Sequence, residues 1–102
     1  MNFQNYFKNK IALITGSGRG IGLEIAKEYL KHGAKVIAID LNTKRLLNLR
    51  NKHRNNILIK KFDLSNLDNF NSFLKKLPKN FQNINILINN AGMKSAENLV
   101  KT

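Results

Sequence analysis

Residues Ile14–Gly22, "ITGSGRGIG", stand between an apolar run and a run with helical spacing, and they decide the fold. Gly16, Gly18, Gly20 and Gly22 fall at every second position, with Thr15 ahead of them and Arg19 inside. Where a buried strand turns directly into a helix, the first turn of the helix carries free N–H groups and a partial positive charge, a ready site for phosphate oxygens. Glycine lets the chain turn tightly, brings N–H groups close to a ligand and lets helix approach strand. Gly16 suits the turn out of the strand, Gly20 close approach at the helix start, and Gly22 packing against the strands. Ser17 and Arg19 offer a hydroxyl and a cation to the same anion.

Outward from this loop the apolar pattern alternates between two periods. "KIALIT" (10–15) is a nearly continuous apolar run, as a strand buried on both faces requires. Ile21, Ile25, Ala26, Tyr29 and Leu30 then recur at helical spacing over 21–32, and Gly33 ends that helix. "AKVIAID" (34–40) predicts a second strand, and Thr43 a cap for a helix through Arg54 that carries Leu46, Leu47 and Leu49. "NILIKKFD" (56–63) predicts a third strand. Ser65 starts a helix with Leu67, Phe70, Phe73, Leu74 and Leu77 on one face, closed by Pro78, and "INILIN" (84–89) is the fourth strand. Buried strands alternating with amphipathic helices imply parallel pairing through right-handed crossovers, a doubly wound α/β sheet. No linker or repeat divides the chain, so residues 1–102 read as one unit.

Composition narrows the function classes. At 102 residues, 42% hydrophobic and 24% charged, the chain is globular and holds one domain at most. It has no cysteine, which removes disulfides and thiolate metal sites, and no His/acid cluster has metal spacing. His32 reads as a helix-end residue and His53 as part of a basic helix end. The apolar runs are too short to span a bilayer, and "MNFQNYFKNK" has no secretory apolar core, which places the protein in the cytoplasm. The net charge of +12 raises a nucleic-acid partner as a third-ranked alternative, but the cations are dispersed, with no run longer than a pair.

The glycine spacing is specific. A G-x-G-x-x-G fingerprint fails, because Ile21 occupies its sixth position; T-G-x-x-x-G-x-G fits, through Thr15, Gly16, Gly20 and Gly22. This resembles the cofactor loop of the short-chain dehydrogenase/reductase family, and three later stretches extend the likeness. Asp40 ends the second strand, eighteen residues beyond Gly22, although a strand-end aspartate needs no ligand to explain it. Asp63-Leu64 ends the third strand, and its carboxylate equally suits the start of the next helix. Asn89-Asn90-Ala91-Gly92 ends the fourth and matches the family's N-N-A-G motif, while also suiting a plain turn. All would lie along one sheet edge, where open parallel sheets bind ligands. The resemblance covers about 8–92, leaves 93–102 divergent, and looks particularly similar to 3-oxoacyl-[acyl-carrier-protein] reductases.

The resemblance implies a Rossmann-like sheet with strand order 3-2-1-4 and a nicotinamide dinucleotide as cofactor. It places the pyrophosphate on Thr15, Gly16, Ser17, Gly18, Arg19, Gly20, Ile21 and Gly22, and the adenosine ribose on Asp40. Adenine falls beside Asp63 and Leu64, and the other ribose along Asn89, Asn90, Ala91 and Gly92. Asp40 favours NAD, since a carboxylate accepts from a 2′-hydroxyl and repels a 2′-phosphate; Arg19 pulls weakly towards NADP. The family's reacting oxygen is handled by Tyr-x-x-x-Lys with a Ser and an Asn, all placed after N-N-A-G. Only ten residues follow Gly92, none of them Tyr; Tyr29 lacks the partner lysine, and Tyr6 with Lys10 precedes the first strand. No catalytic residue is therefore assigned. The chain reads as the cofactor-binding part of an oxidoreductase, truncated or frame-shifted, with a stand-alone nucleotide- or partner-binding module as the alternative. Its fourth strand would be a bare apolar edge, open to self-association.

Overall fold

Ile11–Thr15 (β1) is the axis of the molecule, because its side chains are covered from both sides. Alternate residues point to opposite faces of a strand. Ala12 and Ile14 join Val36, Ala38 and Ile57 in a core under two helices, whereas Leu13 joins Ile37, Ile39, Leu77 and Phe81 on the other face. The computed structural model describes residues 6–63 and 69–90. The elements following β1 are α1 (Gly20–Lys31), β2 (Lys35–Ile39), α2 (Leu46–Lys52), β3 (Ile57–Lys60), α3 (Phe70–Lys75), a 3-10 turn at Lys79–Phe81, and β4 (Ile86–Ile88).

The four strands form one parallel sheet in the order β3-β2-β1-β4, the order that the family resemblance implies. Register is continuous across it: Leu13 faces Ile37 on one side and Leu87 on the other, and Ile37 faces Leu58. Leu23, Ala26 and Leu30 of α1, with Leu46 and Leu49 of α2, cover the first face. The second is covered by Phe70, Phe73 and Leu74 of α3 and by Leu77 and Phe81 beyond it. There the ring of Phe62 lies 4.8 Å from that of Phe73 and 6.1 Å from that of Phe70.

Several sequence expectations need correction. Ile21 was placed on the buried face of α1, yet it is 73% exposed; with Ile25, Tyr29 and Ile88 it lines an open groove along that helix. Leu47 is also exposed, so α2 rests on Leu46 and Leu49 alone. Thr43 does not cap α2, which starts three residues later without a side-chain cap. The Oδ1 of Asn42 accepts the Lys44 N–H at 3.2 Å, a local turn that delays the helix. β3 ends at Lys60, so Asp63 lies beyond the strand and is exposed. The third helix is described only from Phe70; Leu64, Ser65 and Leu67 lie outside the described residues, as do Ala91 and Gly92. Among the described residues, no helix is long and apolar enough to cross a membrane.

Candidate functional site

The loop between β1 and α1 emerges at the C-terminal edge of the sheet, flanked by the chain leaving β2 on one side and β4 on the other. Its glycines serve three different physical needs. Gly16 (φ 62°) and Gly20 (φ 56°) adopt the left-handed conformation that side chains disfavour. Beside Gly20 a Cβ would meet nothing within 4 Å among the described residues, so glycine there answers to backbone shape. Gly22 answers to space, but not against the strands: a Cβ would meet the Gly16 carbonyl oxygen at 2.1 Å and the Asn90 Nδ2 at 2.5 Å. Gly18, an unspecified position in T-G-x-x-x-G-x-G, is as tightly confined, with the Asn42 carbonyl oxygen 2.1 Å from an added Cβ.

Polar side chains knit this loop to its neighbours. The buried Thr15 hydroxyl donates to the Ile88 carbonyl at 3.3 Å and accepts the Asn90 N–H at 2.9 Å. The Asn90 Nδ2 donates to the Gly16 carbonyl at 3.2 Å. Ser17 is fully buried, and both its N–H (3.2 Å) and its hydroxyl (3.3 Å) donate to the Ile39 carbonyl. The hydroxyl expected at a phosphate is thus spent on β2. The Asp40 carboxylate accepts the Gly18 N–H on Oδ2 at 2.9 Å and the Asn42 N–H on Oδ1 at 3.0 Å.

What remains open is the helix start. Arg19 is exposed and extended, no side chain caps α1, and its first turn contains no acid. The first N–H groups of a helix have no intrahelical partner, and at this exposed start they are open to water or to a bound anion. The Asn89 Oδ1, just past the end of β4, is buried without a hydrogen-bond partner among the described residues. The structure therefore brings Thr15, Gly16, Gly18, Arg19, Gly20, Gly22, Asp40, Asn89 and Asn90 to one edge. Asp63 lies three residues past the end of β3. Asn42 was not singled out from sequence; its place between Asp40 and Lys44 as an Asx turn was the available signal.

A loop of this shape, between a central parallel strand and the next helix and backed by an Asn from β4, defines a Rossmann-type dinucleotide fold. A family model for short chain dehydrogenases matches residues 10–102, and the chain belongs to that family. It is 38% identical over 86 residues to the uncharacterized oxidoreductase YDL114W of Saccharomyces cerevisiae, which covers 84% of this chain and 27% of that protein. It is 36% identical over 83 residues to the NADP-dependent 3-hydroxy acid dehydrogenase YdfG of an Escherichia coli strain, covering 81% of this chain and 34% of that one. The closed form of a serine dehydrogenase complexed with NADP+ superimposes with a TM-score of 0.69 at 34% identity, over 76% of this chain and 31% of that one. The chain thus spans about a third of the length of these relatives. Likeness to 3-oxoacyl reductases rests on a solved structure at 22% identity, which speaks for the fold alone.

Proposed function

We propose that this chain is the cofactor-binding part of a short-chain oxidoreductase, taking the adenosine and pyrophosphate of a nicotinamide dinucleotide along the edge formed by Gly16–Gly22, Asp40 and Asn89–Asn90. The observation that carries the reading is the uncapped, acid-free start of α1 beneath a loop held open by Gly16 and Gly20. The N–H groups of that first turn, with the Arg19 guanidinium, hold the pyrophosphate. Ile21, exposed at the same turn, covers an apolar part of the ligand; Asn89 offers its unpartnered Oδ1 to a ribose hydroxyl. Leu64, Ala91 and Gly92 belong to the proposed site by family likeness.

The cofactor, once bound, supplies the hydride chemistry; the residues of this chain bind and orient it. In the whole protein the reaction would interconvert an alcohol and a carbonyl.

The proposed preference is NAD(H), which sets the chain apart from the NADP-dependent relatives. Asp40 has oxygen lone pairs left for ribose hydroxyls. Opposite a 2′-phosphate the same carboxylate is repelled by about 4 kcal/mol at 4 Å and an effective dielectric near 20. Calorimetric titration of the 102-residue chain with NAD+ and NADP+ tests both parts. Binding of NAD+ that is lost in Gly20→Val supports the reading; a purified chain that binds neither dinucleotide refutes it, and tighter NADP+ binding refutes the preference alone.

A further inference from the structure

We infer that Gly18 is a specificity-determining position acting through Asp40: its N–H anchors the carboxylate that separates a ribose 2′-hydroxyl from a 2′-phosphate. The inference rests on the dinucleotide-binding reading above.

The Asp40 side chain is fastened at both oxygens, Oδ2 by Gly18 on the glycine loop and Oδ1 by Asn42 on the loop leaving β2. Its own N–H is tied to the Lys60 carbonyl of β3 at 3.2 Å, so backbone and carboxylate are held together. Each carboxylate oxygen has a second lone pair, which lets NAD+ donate its ribose hydroxyls without disturbing either anchor. A 2′-phosphate brings no donor and a second anion. To admit it the carboxylate must swing away, and two charge-assisted hydrogen bonds break, the one to Gly18 in a part-buried place and the one to Asn42 in an exposed place. The anchors therefore turn a local repulsion into a fixed barrier.

Glycine at 18 is required by that arrangement and by space alone. A Cβ there would meet the Asn42 carbonyl oxygen at 2.1 Å and the Asp40 Cγ and Oδ2 each at 2.9 Å. An alanine must push the Asn42 peptide and the carboxylate outward, which breaks the anchor and leaves Gly16 and Gly20 as they are.

The test is the ratio of NAD+ to NADP+ affinity, measured by calorimetric titration of the 102-residue chain. Losing a charge-assisted anchor should lower the ratio about tenfold or more in Gly18→Ala. Asp40→Asn should lower it as well, and Gly18→Ala added to Asp40→Asn should change it no further, within about twofold, because coupled residues are non-additive. A merely structural role for Gly18 would weaken both ligands alike. An unchanged ratio in Gly18→Ala, with the parent's far-UV dichroism, overturns the inference, as does a full additive effect in the double variant. Should Gly18→Ala fail to fold, the parent's amide resonances carry the test. The Gly18 amide proton should move upfield in Asp40→Asn and with NADP+, and hold with NAD+; indifference to Asp40→Asn overturns the inference. A parent chain that binds neither dinucleotide overturns this inference together with the reading beneath it.

Discussion

Asn90 donates its side-chain amide to the carbonyl of Gly16 at 3.2 Å, joining the end of β4 to the turn that leaves β1, seventy-four residues earlier in the chain. The same amide nitrogen would lie 2.5 Å from a Cβ on Gly22. The Asn motif and the glycine motif, read separately in sequence, are therefore one packed unit, with Thr15 as the hinge between them.

Replacing Thr15 by Val keeps its shape and removes both the donor to Ile88 and the acceptor for the Asn90 N–H. Two part-buried backbone groups then lose their partner, and stability should fall by about 1 kcal/mol. Urea denaturation followed by far-UV dichroism reads this directly; a midpoint equal to the parent's would show that the β1–β4 tie contributes nothing.

Gly20→Ala and Gly22→Ala should separate conformation from space. At Gly20 the added methyl has room, and the cost is the left-handed φ, about 1 kcal/mol. At Gly22 the methyl collides with the Gly16 carbonyl, and the loop must shift at about 3 kcal/mol. Thermal melts should rank parent above Gly20→Ala above Gly22→Ala. The reverse order of the two variants would mean that the loop yields easily.

Among the described residues β4 is an outer strand of the sheet; it carries Ile86, Leu87 and Ile88, with Leu87 50% exposed. No charged residue lies between Lys79 and Lys94 to blunt it, whereas Lys60 and Lys61 guard the β3 edge. The 102-residue polypeptide should self-associate in a concentration-dependent way, and Leu87→Lys should shift it towards monomer by light scattering. A parent chain monomeric at millimolar concentration would contradict this.

Turnover by the 102-residue polypeptide should be absent. Its sequence offers no Tyr-x-x-x-Lys beyond Asn90, and positioned general acid–base catalysis contributes about 10²–10⁴-fold. NADH and NADPH oxidation with ketone, aldehyde or 3-oxoacyl substrates should stay at background. Steady turnover abolished by Gly20→Val would reveal a catalytic group supplied from elsewhere.

Element type was legible in the amino-acid sequence because it rests on local periodicity, and sheet order because the loop motifs carry a family resemblance. Continuous apolar runs such as 11–14 and 36–39 require cover on two faces, right-handed crossovers make the pairing parallel, and the motifs that carry the family resemblance supplied the order β3-β2-β1-β4. The glycine loop was legible for a related reason, since unusual backbone conformations at Gly16 and Gly20 demand one residue type. Only the tertiary structure decided which loop groups stay available. Ser17 turns inward, its N–H and its hydroxyl both donating to the Ile39 carbonyl twenty-two residues away; Ile21 is left exposed because Leu23 and Ala26 already cover the sheet. Gly18 owes its identity to the Asn42 carbonyl, and Asp40 its fixed carboxylate to two amides on different loops. Hydrogen bonds and close contacts between distant segments leave no periodic trace, so they become visible only when the sheet brings those segments together.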